Sequence, residues 1–539
     1  FHLWSRGQEV ALHEIGMGDG HFGPGDAFLF YGEKFHGTVQ EEKYTDENVY
    51  WLGVDATAPG LRMKTESVAP GSPAPAVEWY TATVRAEENY HRWARWSTEP
   101  GTDATWFWNT MAQPVTKNWP ITLVSLAPGS YTADLRTEVA SMNESSANPD
   151  HRLDLDVNGT YVGQDTWDGK VGWTISLPAP STALKEGLNQ VGMTPVEIAG
   201  KQWIRVNWVE ITYRRQTVAQ NDRLDFSAPF GGKAAYSVSG FTTNEGLRLY
   251  DLRNPIVPRV LTDAVPQAAE ATWDLVFTTS GTEGQPYMAV ADAQIQDVPT
   301  LTKVEPNLDL LSSSKGADEI MIVPDEFFGA IQPLVNHRRA GGLRVEVARV
   351  KDVYALFNDG IVHPEAIRSF LAYTYQTWKK PAPAYVLLVG DGHYNPKGYN
   401  PSEYGEPTPV YIPPYLEFAD PWEGEVPVDT AFARIVGDDD FPDMAVGRLP
   451  ANSAQEVADV VAKIIAYEKE ATPAWEDRVI FTADNIPDAG GDFERVLDQL
   501  SSDFVPPDLR QSRVYLTDYC GPPVSPPAAC PSATDALLQ

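Results

Sequence analysis

Ala384-Tyr385-Val386-Leu387-Leu388-Val389-Gly390-Asp391-Gly392-His393-Tyr394-Asn395-Pro396 decides the fold of the C-terminal part of the chain. The apolar run has no polar face, so both its faces are covered, as in a parallel sheet flanked by helices. Its surroundings alternate accordingly. Glu319-Ile320-Met321-Ile322-Val323 is a strand that Pro324 ends, and Asp325 is placed to cap a helix through about Ala340. Gly341-Gly342 stops that helix, and residues 343–348 form the next strand. His363-Pro364-Glu365 opens a helix to Lys380, with the proline in its first turn. Ser453 caps a long helix to Lys469 with Val457, Val460, Val461, Ile464 and Ile465 on one stripe, and residues 478–482 are a further strand. Strand and helix in alternation mean a mostly parallel α/β sheet over residues 305–539.

In such a sheet ligands bind beyond the carboxyl ends of the strands. Asp391 and His393 stand at that place. The competing reading is a turn in which Asp391 bonds local backbone N–H groups; a lone Asp-Gly-His is a weak signal, and the residues alone favour the turn. A second stretch, Gly437-Asp438-Asp439-Asp440-Phe441-Pro442-Asp443, gathers Asp438, Asp439, Asp440 and Asp443 in one loop. Oxygen-rich loops take structural calcium, but the spacing is not that of a helix-loop-helix site, and a solvated acidic turn is the equal alternative. No cofactor is required by these motifs.

Upstream the chain is β-rich. Residues 1–75 carry short strand signals at 27–32 and 48–52, with a polar loop over 37–48. Residues 76–215 read as a jelly-roll sandwich, with strands near 106–108, 121–124, 131–135, 152–157, 172–175 and 203–211 and a tight turn at Asn158-Gly159. Trp208-Val209-Glu210-Ile211-Thr212-Tyr213 resembles the closing strand of galactose-binding-like jelly rolls. Trp106, Trp108, Trp167 and Trp173 are candidates for stacking on sugar rings, against the commoner reading that they fill the sandwich core. Residues 216–304 read as a small bridging sheet, and the proline-rich stretch 505–531 as loop.

The 539 residues carry 41 Lys and Arg against 74 Asp and Glu, a net charge of −33. That excludes nucleic acid and electrostatic docking on anionic lipid. No apolar run reaches the roughly 18 residues of a membrane span. Cysteine is almost absent and tryptophan is high, at 2 and 16, which fits a secreted or cell-surface bacterial protein. Cys520 and Cys530 flank a proline-rich loop; a local disulfide is expected there, two free loop thiols being the alternative. The chain begins at Phe1 and stops inside a helical pattern, so it reads as a fragment at both ends.

Tyr385-Val386-Leu387-Leu388-Val389-Gly390-Asp391-Gly392, then Asp429, then Asp443-Met444-Ala445-Val446-Gly447-Arg448-Leu449-Pro450, then a helix ending Ile464-Ile465-Ala466-Tyr467-Glu468, resembles in order and spacing the gingipain family of cysteine peptidases. The segment around Asp26, Tyr50-Trp51-Leu52 and Arg62-Met63 is similar to the leading region of large secreted members, including sortase-like surface peptidases. The resemblance implies a caspase-like α/β domain, incomplete at its C-terminus, and a secreted endopeptidase acting on peptides. A cysteine thiolate would attack the peptide carbonyl while a histidine manages the protons. The family's histidine lies in a His-Gly pair after the next strand and its cysteine after the strand beyond. No such pair follows His393, and His36-Gly37 lies in another domain, so the dyad is expected past residue 539. By the same resemblance Asp429 is the acidic residue that would meet a substrate arginine or lysine, with Asp391 and His393 in support. A non-catalytic surface or adhesion protein with a glycan-binding jelly roll is the alternative. A metal-dependent hydrolase is disfavoured, since no histidine pair accompanies the carboxylates.

Overall fold

The computed structural model describes residues 1–538 except 56, 72, 95–103, 113, 299, 406–408, 421–422, 470–476, 488–490 and 523–528. These fall into two compact units, Phe1–Ala458 and Asp459–Gln539.

The first unit begins with His2–Ser5 paired to Gln8–Val10 and Trp51–Gly53, and with a hairpin of His13–Ile15 and Ala27–Leu29. The stretch read as polar loop contains a helical turn, Val39–Glu42, closed by a reciprocal cap. The Thr38 hydroxyl accepts from the Glu41 amide at 3.3 Å and the Glu41 carboxylate accepts from the Thr38 amide at 2.7 Å.

The jelly roll follows. One sheet holds Asn109–Ala112, Trp203–Gln216, Thr132–Ser141 and Gly172–Pro180, with Trp79–Glu87 also paired to Trp203–Gln216. The other holds Lys117–Leu123, Gly187–Pro195, His151–Val157 and Thr160–Trp167. Asn158 and Gly159 both take positive φ, 53° and 80°, in the turn between the last two. Alternate residues of these strands, such as Leu153, Leu155 and Val157, point inward and are fully buried.

The segment expected as a small bridging sheet is a second sandwich, of a five-stranded and a four-stranded sheet. It recruits Lys64–Ser67 and Ala76–Val77 from upstream, each pairing in parallel. One buried cluster runs from Tyr80 and Leu135 to Phe277 and Ala289, so the two sandwiches share a core.

The α/β part has four parallel strands in the spatial order Val345–Arg349, Glu319–Val323, Tyr385–Val389, Ala445–Leu449. Ile320, Ile322, Val386 and Leu388 pack with Val353, Ile367, Phe370 and Leu371. Met321 and Val323, on the opposite face, are also fully buried. Tyr385, at the strand's amino end, is half exposed, so the apolar run is covered only from Val386 on. Asp325 does not cap a helix: the turn it opens is 3₁₀, the α-helix is Phe328–Ala340, and its carboxylate pairs with Arg349 and Lys351. His363 does cap, its Nδ1 accepting from the Glu365 amide at 3.0 Å.

In the second unit Arg478–Ala483 and Arg510–Tyr515 pair in parallel, with Phe493–Asp503 as the intervening helix. The stretch read as loop therefore holds a strand and the short helix Leu516–Cys520. Cys520 and Cys530 form a disulfide with Cα atoms 6.0 Å apart. Among the described residues no helix is long and apolar enough to cross a membrane.

Candidate functional site at the carboxyl edge of the parallel sheet

The chain turns from one side of the sheet to the other between Glu319–Val323 and Tyr385–Val389, and a crevice at such a switch point is where an open α/β sheet binds ligands. The loop after Val389 is tied down on every side. The Gly390 and Asp391 amides donate to the Leu449 and Ala451 carbonyls at 2.8 and 3.0 Å. The Asp391 carbonyl accepts from the amides of Tyr411 and Ile412 at 3.0 and 3.2 Å. Both glycines are needed for this approach. A Cβ on Gly390, whose φ is +126°, would stand 2.6 Å from Cβ of Tyr411, and one on Gly392 would stand 2.5 Å from the Ile412 carbonyl oxygen.

Asp391 accepts from its neighbour's amide, Gly392 N–H to Oδ1 at 2.9 Å, and from Asn452 Nδ2 at 3.1 Å. It acts as a strand-end tie. His393 accepts the Asn395 N–H on Nδ1 at 3.0 Å, which places the ring proton of the neutral form on Nε2, and the ring stacks on Tyr394 at 4.6 Å.

The carboxylate expected to meet a basic substrate side chain already meets one from its own chain. Asp429 and Arg448 form two parallel bonds, Nε to Oδ2 at 2.7 Å and Nη2 to Oδ1 at 2.8 Å. Arg448 Nη1 also donates to the Gly390 and Ile412 carbonyls, both at 3.0 Å. The pair thus joins the strand Ala445–Leu449 to the loop that carries Asp391 and His393. Sequence reading passed over Arg448, although it stands in the same Gly-Arg-Leu-Pro motif that carries the resemblance.

A second set of groups fixes the hairpin Leu416–Asp420 and Gly424–Pro427 that leads into Asp429. Glu425 is buried and receives both Lys43 and Arg92, the latter at 3.5 Å. Gln40 Nε2 donates to the Leu416 carbonyl at 2.7 Å, and the Leu416 amide donates to the Tyr44 hydroxyl at 3.0 Å. Burial in this contact pushes the Tyr44 phenol far up. The loop after His393 is held likewise: Asn400 donates to the Tyr90 carbonyl at 2.7 Å, and Tyr399 and Tyr404 pack edgewise on Trp106. Thr38-Val39-Gln40-Glu41 has the capping-box pattern, a signal that could have marked this clamp within the stretch read as polar loop.

The acidic loop is spent on itself. Asp443 accepts from the amides of Ile435 and Val436 at 2.9 and 2.8 Å, Asp439 accepts from Phe441 at 3.0 Å, and Asp440 lies 3.7 Å from Arg434, while Asp438 shares the same turn. Among the described residues no three His, Cys, Asp or Glu side chains are grouped to hold a metal. Of the tryptophans singled out, Trp167 lies in the sandwich core and Trp108 packs against it, whereas Trp106 and the half-exposed Trp173 border a cleft on the jelly roll.

No curated protein matches the chain by sequence. The solved structure of dimeric latent PorU from Porphyromonas gingivalis is similar over 86% of this chain, at a TM-score of 0.58 and 16% identity, and shares the fold. The chain spans 45% of that protein's length. The carbohydrate-binding module CBM6 of LamC from Zobellia galactanivorans overlaps 24% of this chain and 99% of its own length, at 17% identity and a TM-score of 0.15. Residues 312–539 match Peptidase family C25, the gingipain family to which the sequence resemblance pointed.

Proposed function

We propose that this chain is the leading part of a secreted cysteine-type endopeptidase of the gingipain type, whose Cys/His dyad lies beyond residue 539. The match of residues 312–539 to Peptidase family C25 supports this reading. Both cysteines of the chain are consumed in one disulfide, so neither can supply the thiolate nucleophile. In this reading the present chain contributes the substrate-side edge of the sheet. Asp391, Arg448 and Asp429 hold the loop in shape, and a peptide lies along the carboxyl ends of the strands. Asp429 already accepts two bonds from Arg448 and its side chain is still 31% exposed, so a basic side chain at the cleavage site would share the carboxylate with Arg448. The cysteine-poor composition and the disulfide favour an extracellular location.

The test is turnover of a peptide library with and without thiol alkylation. This chain alone is expected to show no alkylation-sensitive cleavage, and a chain extended downstream is expected to show it. Alkylation-sensitive turnover by residues 1–539 alone would refute the placement of the dyad. The second reading is a non-catalytic surface or adhesion protein whose jelly roll binds glycans; Trp106 and Trp173 at the edge of one cleft favour the glycan binding, which by itself is also compatible with the first reading.

A further inference from the structure

The cleft bordered by those tryptophans is built around a break in the jelly-roll ladder. Between Thr132–Ser141 and Trp203–Gln216 the register jumps: Glu138 faces Trp208 and Val139 faces Val206, so Asn207 is the extra residue of a β-bulge. A bulge re-aims side chains. Here Asn207 and Trp208 converge on one carboxylate, Asn207 Nδ2 donating to Glu138 Oε1 at 3.0 Å and Trp208 Nε1 to Oε2 at 3.2 Å. Because a carboxylate only accepts, the amide nitrogen must face Glu138, and the amide oxygen is turned away from it. Asn207 is 5% exposed, and its Oδ1 meets no donor. A buried acceptor in that state is costly until a donor arrives.

Glu87 sits opposite Trp208 on the neighbouring strand. Burial, with the charge of Glu138, pushes its carboxyl up, toward a form that can donate as well as accept. The cavity measures about 400 Å³. Its charged lining is balanced, with Glu42, Glu87 and Glu138 against Lys43, Arg85 and Lys397. The three cations are already engaged: Lys43 with Glu425, Lys397 with Asp46 at 3.0 Å, and Arg85 over the Trp208 ring at 3.9 Å. None of these three cations is left free for an anionic ligand, while hydroxyl donors and a flat apolar face would both be matched.

We propose that this cleft binds a neutral saccharide unit, with Trp173 stacking on its face and Asn207 Oδ1 and Glu138 accepting from its hydroxyls. The inference rests on the second reading above and assigns it a place. The whole chain is to be screened on an array of neutral and acidic oligosaccharides, and the best neutral binder titrated by calorimetry. Asn207→Ala and Trp173→Ala are each expected to weaken binding at least about tenfold. Trp173 is half exposed, so its variant keeps the fold if the bulge variant does not. Saccharide binding that both folded variants retain at full affinity would overturn the cleft while leaving the glycan reading standing. Preference for acidic oligosaccharides would overturn the neutral-ligand assignment. No binding to any oligosaccharide would remove both.

Discussion

Arg448 shows how much one side chain can settle. Its guanidinium makes two bonds to Asp429 and two to backbone carbonyls from separate segments, and it is largely buried. Removing the carboxylate would strand that charge, and breaking a buried pair costs far more than replacing it whole. Asp429→Ala is expected to destabilise the fold by roughly 3 kcal/mol, seen as a lower denaturant midpoint. The double variant Asp429→Ala, Arg448→Met should recover a good part of the loss, as the measure of their coupling. A single variant that unfolds like the parent would show the pair to be idle. The family motif made Asp429 visible in the sequence but not its partner. A carboxylate's partner depends on which strands become neighbours, and Ala445–Leu449 comes beside Tyr385–Val389 only in the folded sheet.

At the scale of elements, apolar pattern was legible and polar interior was not. Residues 320–323 and 386–389 announce themselves because nothing in their side chains needs water. Gly187–Pro195 does not, because its inward positions include Asn189, fully buried and bonded to the Lys185 and Gly187 carbonyls, and its outward positions include Gly192, whose Cβ would meet the Asp156 carboxylate. Thr160–Trp167, which lies at the edge of the same sheet, is mostly half-buried or exposed and shows little alternation. The start of the helix Pro364–Thr377 was readable from the proline in its first turn, and its His363 cap carries a pH dependence. His363 is buried against Tyr44, rings 4.8 Å apart, with Nε2 unbonded. Burial pulls its value from 6.5 down to about 4, with Glu41 opposing weakly. Between those values the unfolded chain binds a proton that the folded chain does not, so stability falls as pH drops through that window, by about 3 kcal/mol. Urea unfolding at pH 7 and pH 4.5 should show a smaller drop for His363→Asn, which keeps a capping side chain but cannot titrate. Equal drops would place the acid sensitivity elsewhere.

For the whole molecule, the α/β part of the first unit does not stand apart from the sandwiches. Glu425 is buried between Lys43 and Arg92, and deleting both partners leaves an uncompensated charge in the hairpin that leads to Asp429. A fragment of residues 305–539 is therefore expected to lack a cooperative transition by near-ultraviolet dichroism and to bind a hydrophobic dye. A sharp, two-state transition from that fragment would show the clamp to be dispensable. The same clamp has a consequence in time. Gln40 and Lys43 are separated from Leu416 and Glu425 by 376 and 382 positions, so they are synthesised long before the residues they hold. Closing so long a loop adds little to the entropic cost but delays the contact. The hairpin can take its final place only after both ends of that span exist, and a chain interrupted anywhere before Leu416 has the clasp with nothing to fasten.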